Sequence, residues 1–225
     1  MVNPDRVLIG GEDNESIDAL KQIYSKWINQ EKIITTNLWS SELSKLIANA
    51  FLAQRISSIN SVSAICEATG ANVIEVAKAV GTDTRIGEKF LKPGPGFGGS
   101  CFKKDILNLV YICKSLGLNQ VASYWEGIIN INNWQQDRIY KIVVDKLYGN
   151  ISGKRIVILG FSFKADTNDV RNSPSIKICR QLLGEDATLI INDPKVDKKI
   201  ILNEINYDNR YNYKIIYEKN ISKAI

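Results

Sequence analysis

The segment Pro93-Gly94-Pro95-Gly96-Phe97-Gly98-Gly99-Ser100-Cys101-Phe102-Lys103-Lys104-Asp105 delivers one thiol from a glycine-rich loop to the start of a helical pattern. Glycines let a backbone approach a ligand closely and expose its amide donors. The positive end of a helix lowers a thiol's pKa, and Lys103 and Lys104 act in the same sense. Cys101 is therefore placed as a nucleophile; the competing reading is a loop with a buried structural cysteine. The chain contains no histidine. That excludes a Ser-His or Cys-His pair and His-based metal sites, so proton transfer falls to Asp, Glu, Lys, Cys or water.

Six further residues carry candidate chemistry, each with a plainer alternative. Lys45 and Asn49 are four residues apart and share one helix face. They suit a developing oxyanion, or form an ordinary solvated face. Asp105 lies one turn after Cys101, as a proton acceptor or as a first-turn acid facing the helix dipole. Lys164 and Arg171 flank the carboxyl end of a predicted strand, the ligand edge of open α/β sheets. They suit a diphosphate, or are two exposed loop cations. Arg85, in Thr84-Arg85-Ile86-Gly87, carries the same pair of readings.

The 225 residues are 44% apolar, enough for one large or two small domains with a real core. No run of about 18 apolar residues argues for a membrane span, and Met1 to Arg6 do not read as a signal peptide. Four cysteines without a close pair predict neither a disulfide framework nor a zinc site, and no other metal site is expected. Cys66, Cys113 and Cys179 read as core, in a reducing, cytoplasmic setting. The net charge of +5 is interspersed, which favours an anionic ligand over a nucleic-acid face.

The elements that must position these groups fall into three parts. Val7 to Ile9 and Lys32 to Thr36 read as strands around a helix carrying Ile17, Leu20, Tyr24 and Trp27. They look like the tail, residues 1–38, of a larger α/β domain. Residues 39–148 read as all-helical. The first helix runs from about Ser40 to Thr69 and stops at Gly70, with Leu43, Leu46, Ile47, Ala50, Phe51, Ile59, Val62 and Ile65 on its stripe. Thirty residues span about 45 Å, the length of a spine between domains or subunits. Helices over Asn72 to Val80, Phe102 to Leu116 and Gln120 to Leu147 follow. From residue 149, Arg155 to Gly160, a helix from Pro174 and Ala187 to Ile191 make a βαβ unit of nucleotide-binding type. A third strand is expected near Lys214 to Tyr217 and a new helix at Ile221. The turn Gly160-Phe161-Ser162-Phe163-Lys164 lacks the G-x-G-x-x-G fingerprint.

Together, Ser40 to Phe51, Arg85-Ile86-Gly87, Gly96 to Asp105, and Gly160 to Lys164 with Arg171 resemble the UDP-glucose/GDP-mannose dehydrogenase family. The glucose-specific branch is the best match, and the likeness runs from Asn3 to about Pro194. The resemblance implies an α/β protein with a remnant of an N-terminal NAD-binding Rossmann domain. A central helical dimerisation domain and an incomplete C-terminal Rossmann-like UDP-sugar domain would follow. It implies oxidation of a UDP-glucose C6 alcohol to UDP-glucuronate with two NAD⁺. Cys101 would pass through a thiohemiacetal and a thioester. Lys45 and Asn49 would steady the oxyanion, and Asp105 would assist water or proton steps. The substrate would meet Lys45, Asn49, Lys92, Gly94, Gly96, Phe97, Gly98, Phe163 and Lys164, with Arg85 reaching across to a partner subunit. Cys101, Lys104 and Arg171 would border the cofactor. The implied partners are UDP-glucose and further copies of the chain, with no nucleic acid and no membrane.

The family's Gly-rich cofactor loop, a glutamate-bearing segment, its final sheet strands and a late substrate arginine have no counterpart here. Ala165 stands where relatives often carry a second lysine. The chain is thus expected to be a fragment that does not turn over UDP-glucose by itself. A dehydrogenase for GDP-mannose or a UDP-N-acetylhexosamine is the enzyme rival. A non-catalytic dimerising module is the rival of another class.

Overall fold

The computed structural model describes residues 4–205 and 211–224; residues 1–3, where the family likeness begins at Asn3, lie outside them. Strand β1 (Val7–Gly10), helix α1 (Asn14–Tyr24) and strand β2 (Ile33–Thr36) come first, with β1 and β2 parallel and Val7 opposite Ile33. Four helices follow: α2 (Leu38–Thr69), α3 (Val73–Thr82), α4 (Phe102–Ser115) and α5 (Asn119–Lys146). Strand β3 (Arg155–Leu159), α6 (Pro174–Gly184), β4 (Thr188–Asn192), α7 (Lys198–Ile205), β5 (Ile215–Tyr217) and the short α8 (Ile221–Ala224) complete the chain. β3, β4 and β5 form a parallel sheet in that order, with Arg155 opposite Thr188 and Leu189 opposite Ile215. Among the described residues, no helix is long and apolar enough to cross a membrane.

Local chemistry sets the boundaries. The Asn37 side chain accepts from the Ser40 amide and opens α2, and Gly70, at φ +77°, closes it. Asn72 caps α3, and Ser173 followed by Pro174 starts α6. Cys101 occupies the cap position of α4 without a side-chain cap bond, so its thiol is not committed to holding the helix.

Three clusters of buried residues support these elements. Ile9, Ile28 and Ile33 fasten the first strands. Ala50, Ala53, Ile106, Leu109, Trp125 and Ile128 join α2, α4 and α5. Phe161, Leu182, Leu183, Leu189, Ile191 and Ile201 fill the space around the second sheet.

The structure corrects several details of the sequence pattern. Helix α2 buries Ala50, Ala53, Ser57, Ile59, Asn60, Ser63 and Cys66, whereas Phe51 and Ile65 of the anticipated stripe are 53% and 61% exposed. Small residues let α4 and α5 come close, so side-chain size, not hydrophobicity, chose the inner face. Gly81 lies within α3 instead of ending it, and glycine serves close packing there: a Cβ would meet the Glu88 backbone at 3.0 Å. Helix α1 stops at Tyr24, and Trp27 packs on the Tyr24 ring from the turn beyond. Helix α7 was not anticipated; its pattern is only eight residues long, with Ile201 and Ile205 buried.

One carboxylate organises the ligand edge of the second sheet. Asp193 is 2% exposed and accepts from four backbone amides, Phe161 and Ser162 after β3 and Lys195 and Val196 after β4, at 2.7–3.0 Å. Burial pushes its pKa up, but these amides outweigh burial and hold it below the ordinary carboxylate value. Asp193→Ala is expected to cost about 3 kcal/mol in urea unfolding, because the amides lose a charged acceptor. A carboxyl lowered by folding stabilises the native state above its unfolded pKa. Its contribution is therefore expected to be full above about pH 4 and to fade as pH falls through the lower native value. An equal stability loss on mutation at pH 2 and pH 7 would contradict this.

Candidate functional site

The loop that presents Cys101 is held by buried side-chain amides. Asn132 on α5, 6% exposed, accepts from the Phe97 amide at 2.8 Å and donates to the Phe97 carbonyl at 3.1 Å. Asn60 on α2 accepts from the Gly94 amide at 2.9 Å, and Gln135 on α5 donates to the Gly94 carbonyl at 2.9 Å. The loop thus satisfies its backbone through two helices instead of through water. On its other side, the Gly99 amide donates to the Arg171 carbonyl at 2.7 Å and Asn172 donates to the Gly99 carbonyl at 3.1 Å. A Cβ on Gly98 would lie 2.5 Å from the Asn172 carbonyl oxygen, and Gly96 holds φ +123°. Glycine is required at both places.

These anchors leave Cys101 exposed on a cleft of about 480 Å³ between the helices and the β3 loop. Ile56, Phe97 and Phe102 form an apolar wall, with Phe97 and Phe102 in edge-to-face contact. Phe163 and Lys164 come from the turn after β3, with the Lys164 ammonium 5.4 Å from the Phe163 ring centre. Arg171 completes the rim and makes a two-pronged pair with Asp169, at 3.0 and 2.6 Å. That hydrogen-bonded guanidinium lowers the Asp169 carboxyl to about 2 and raises Arg171. The cleft therefore offers one exposed thiol, an apolar wall and two cations. This set suits an anionic ligand with an aromatic portion and an electrophilic carbon.

One turn along α4, Asp105 is 2% exposed. Its Oδ2 accepts from Lys45 Nζ at 2.7 Å and from Asn49 Nδ2 at 2.5 Å. The expected shared face of Lys45 and Asn49 is thus turned onto the acid. Burial raises the Asp105 pKa, but the two hydrogen bonds and the charges of Lys45 and Lys104 outweigh burial and keep it low. An acid so held is a poor proton acceptor and a good anchor. The Lys45 side chain remains 63% exposed, so its other two N–H bonds stay free. Lys45, Lys104 and Asp105 line an adjoining cavity of about 610 Å³.

Not every anticipated residue converges. Arg85 is exposed, pairs with Asp83 at 2.6 Å and does not line the Cys101 cleft. Lys92 is exposed outside it, and Gly94 faces α5 and β3. Asn60, Asn132, Gln135, Asp169, Asn172 and Asp193 were missed. A signal existed on α5: the stripe Trp125, Ile128, Ile129 continues into Asn132 and Gln136, amides where the pattern calls for apolar residues. Cys66, Cys113 and Cys179 are buried, and burial raises Cys179 to about 12. Limiting iodoacetamide is accordingly expected to label Cys101 first, as read by peptide mass. Earlier labelling of any of the other three would contradict the exposed placement.

Comparisons with known proteins identify the family. The profile of the UDP-glucose/GDP-mannose dehydrogenase family, central domain, matches residues 39–134. That of the same family's UDP binding domain matches residues 157–225. The chain is 56% identical over 209 residues to a UDP-glucose 6-dehydrogenase of Caenorhabditis elegans, covering 91% of this chain and 44% of the relative. It is 57% identical over 209 residues to a UDP-glucose 6-dehydrogenase of Gallus gallus, covering 91% and 42%. The chain therefore spans less than half the length of these relatives. The structure of a UDP-glucose dehydrogenase from the archaeon Pyrobaculum islandicum superposes with a TM-score of 0.86 at 28% identity, over 99% of this chain and 49% of that one. With two profiles of one family matched in order along most of its length, the chain belongs to the UDP-glucose/GDP-mannose dehydrogenase family.

Proposed function

We propose that the chain supplies the thiol and the UDP-sugar cleft of an NAD-dependent dehydrogenase that converts the C6 alcohol of UDP-glucose to a carboxylate. The observation that carries this reading is the exposed Cys101 at the start of α4, facing Phe163 and Lys164 across one cleft. The names of the relatives and the description of the UDP binding domain support the choice of ligand. We divide the chain at 1–38, 39–148 and 149–225; the end of α5, with Ile139, Val143 and Leu147, packs onto the core of the third part.

Lys164 would hold the diphosphate, and Gly96, Phe97, Gly98 and Phe163 would enclose the nucleotide-sugar. Lys92, Gly94 and Arg85 lie outside the cleft and would act only in a larger assembly. At the aldehyde stage, Cys101 Sγ would add to the carbonyl carbon and form a thiohemiacetal. Free N–H bonds of Lys45 and Asn49 would stabilise the oxyanion, with Asp105 fixing both donors in place. At the thioester stage, water would add, and Cys101 would leave as thiolate with the oxyanion held by the same donors. The lowered Asp105 fits electrostatic support of Lys45 better than direct removal of the water proton. Arg171, on the Cys101 cleft, and Lys104, on the adjoining cavity, are exposed cations that fit the rim of a dinucleotide site. NAD, when bound, supplies the hydride acceptor for the alcohol-to-aldehyde and thiohemiacetal-to-thioester oxidations. The turn after β3 carries no close-approach glycine pair, so no seat for the pyrophosphate is assigned on this chain.

A second copy is proposed to cover the outer face of α2, where Phe51 and Ile65 are exposed. Sedimentation at tens of micromolar should then report twice 25.2 kDa. The four free thiols fit a reducing cytoplasm.

UDP-glucose at saturation is expected to slow alkylation of Cys101 at least about fivefold, since a bound sugar covers the thiol. Lys164→Ala should remove the protection without changing the unprotected rate. Equal protection by GDP-mannose would favour the rival nucleotide-sugar, and no protection by either would sink the assignment of the cleft.

A further inference from the structure

We propose that Arg55 is a positioning residue for the Cys101 cleft: it fastens the segment before the glycine loop so that the ring of Phe90 lines the cleft and packs against the ligand. The proposal rests on the reading of this cleft as a nucleotide-sugar site, and it adds how one part of its wall is set.

Arg55 lies on α2, one residue before Ile56 of the cleft wall. Its guanidinium donates through three nitrogens to three backbone carbonyls of one turn. Nε meets the Lys89 carbonyl at 2.8 Å, Nη1 that of Ile86 at 2.8 Å and Nη2 that of Gly87 at 2.6 Å. Among the described residues, Arg55 pairs with no carboxylate. The three carbonyls lie outside any helix or strand, and Ile86 and Lys89 are exposed, so water would satisfy them. A fork of charge-assisted bonds where water would suffice fixes geometry beyond pairing the backbone.

What the fork holds is a strained residue. Phe90 sits at φ +63°, in the left-handed region that a bulky side chain rarely adopts. Such a backbone persists only where its surroundings impose it, and it gathers at binding and catalytic sites. The Lys89 carbonyl and the Phe90 nitrogen belong to one planar peptide unit. Fixing that carbonyl therefore restrains the plane from which the φ of Phe90 is set, and buried Leu91 anchors the chain on the other side. The Phe90 side chain is 41% exposed and lines the cleft together with Ile56, Cys101 and Phe163. Released from Arg55, the peptide would relax to negative φ and carry the ring out of the cleft. An exposed aromatic face held in a cleft is a surface on which the planar part of a nucleotide packs.

The test is the UDP-glucose concentration that halves the rate of Cys101 alkylation, each variant of the full chain being referred to its own unprotected rate. Arg55→Lys keeps the charge and loses the fork, and is expected to raise that concentration about tenfold. Phe90→Asn tolerates the left-handed backbone but has no ring. It should raise the concentration as much while melting within about 3 °C of the parent chain, which separates a binding role from a folding one. Because Arg55 acts through Phe90, the double variant should bind no more weakly than Phe90→Asn alone. Should Arg55→Lys not fold, Arg55→Gln, which can reach one carbonyl, is measured in its place. No protection of the parent chain would sink the nucleotide-sugar reading, and this proposal with it. Protection of the parent chain with an unchanged half-protection concentration in either single variant would overturn the role of Arg55 and leave that reading standing. Additive losses in the double variant, or a fall in the melting temperature of Phe90→Asn that matches its loss of protection, would overturn it likewise.

Discussion

The arrangement depends on how one loop without secondary structure satisfies its backbone. Residues 93–100 are half-buried, with Phe97, Gly98 and Gly99 fully inside, where water cannot pair their amides and carbonyls. Asn60, Asn132 and Gln135 replace that water from two packed helices, and Asn172 does so from the second sheet's side. The same bonds that make burial tolerable fix where Cys101 emerges. A loop held only by apolar contacts would leave the thiol's position loose, and positioning errors of about 1 Å are costly in group transfer.

Charge is distributed on the same principle of one residue holding another. Asp105 gathers Lys45 and Asn49, Asp169 holds Arg171, and Asp193 gathers the two turns that flank the ligand edge of the sheet. In each case the carboxyl is lowered because partners outweigh or exceed the effect of burial. The acids thereby serve as fixed negative points that orient donors, and the cations they hold face open space. This gives a cleft with directed positive groups and a single exposed thiol.

The helix α2 ties these arrangements together. It carries Lys45 and Asn49 at one end, Ile56 on the cleft wall and Asn60 under the loop. Its inner face is narrow because small residues dominate it, which brings α4 and α5 close enough for amides of one helix to reach backbone held by another.

The sequence by itself determined the element types, the parallel βαβ unit and the local candidates. Glycines, caps and periodicity act over a few residues and are readable there. Cys101 with its loop, the shared face of Lys45 and Asn49, and Lys164 beside Arg171 were legible for that reason, as was the burial of Cys66, Cys113 and Cys179. Tertiary structure alone decided which groups meet. Asp105 and Lys45 are sixty residues apart, and Asn132 and Phe97 thirty-five. Helix packing selected small residues over the apolar stripe on α2, and the amides of Asn132 and Gln135 found their partners only where the glycine loop is laid against α5. Arg85 carried a local motif as clear as that of Lys164, yet the fold turned it onto Asp83. Spacing fixes which face of an element a side chain occupies, but only the packing of distant elements fixes what that face touches.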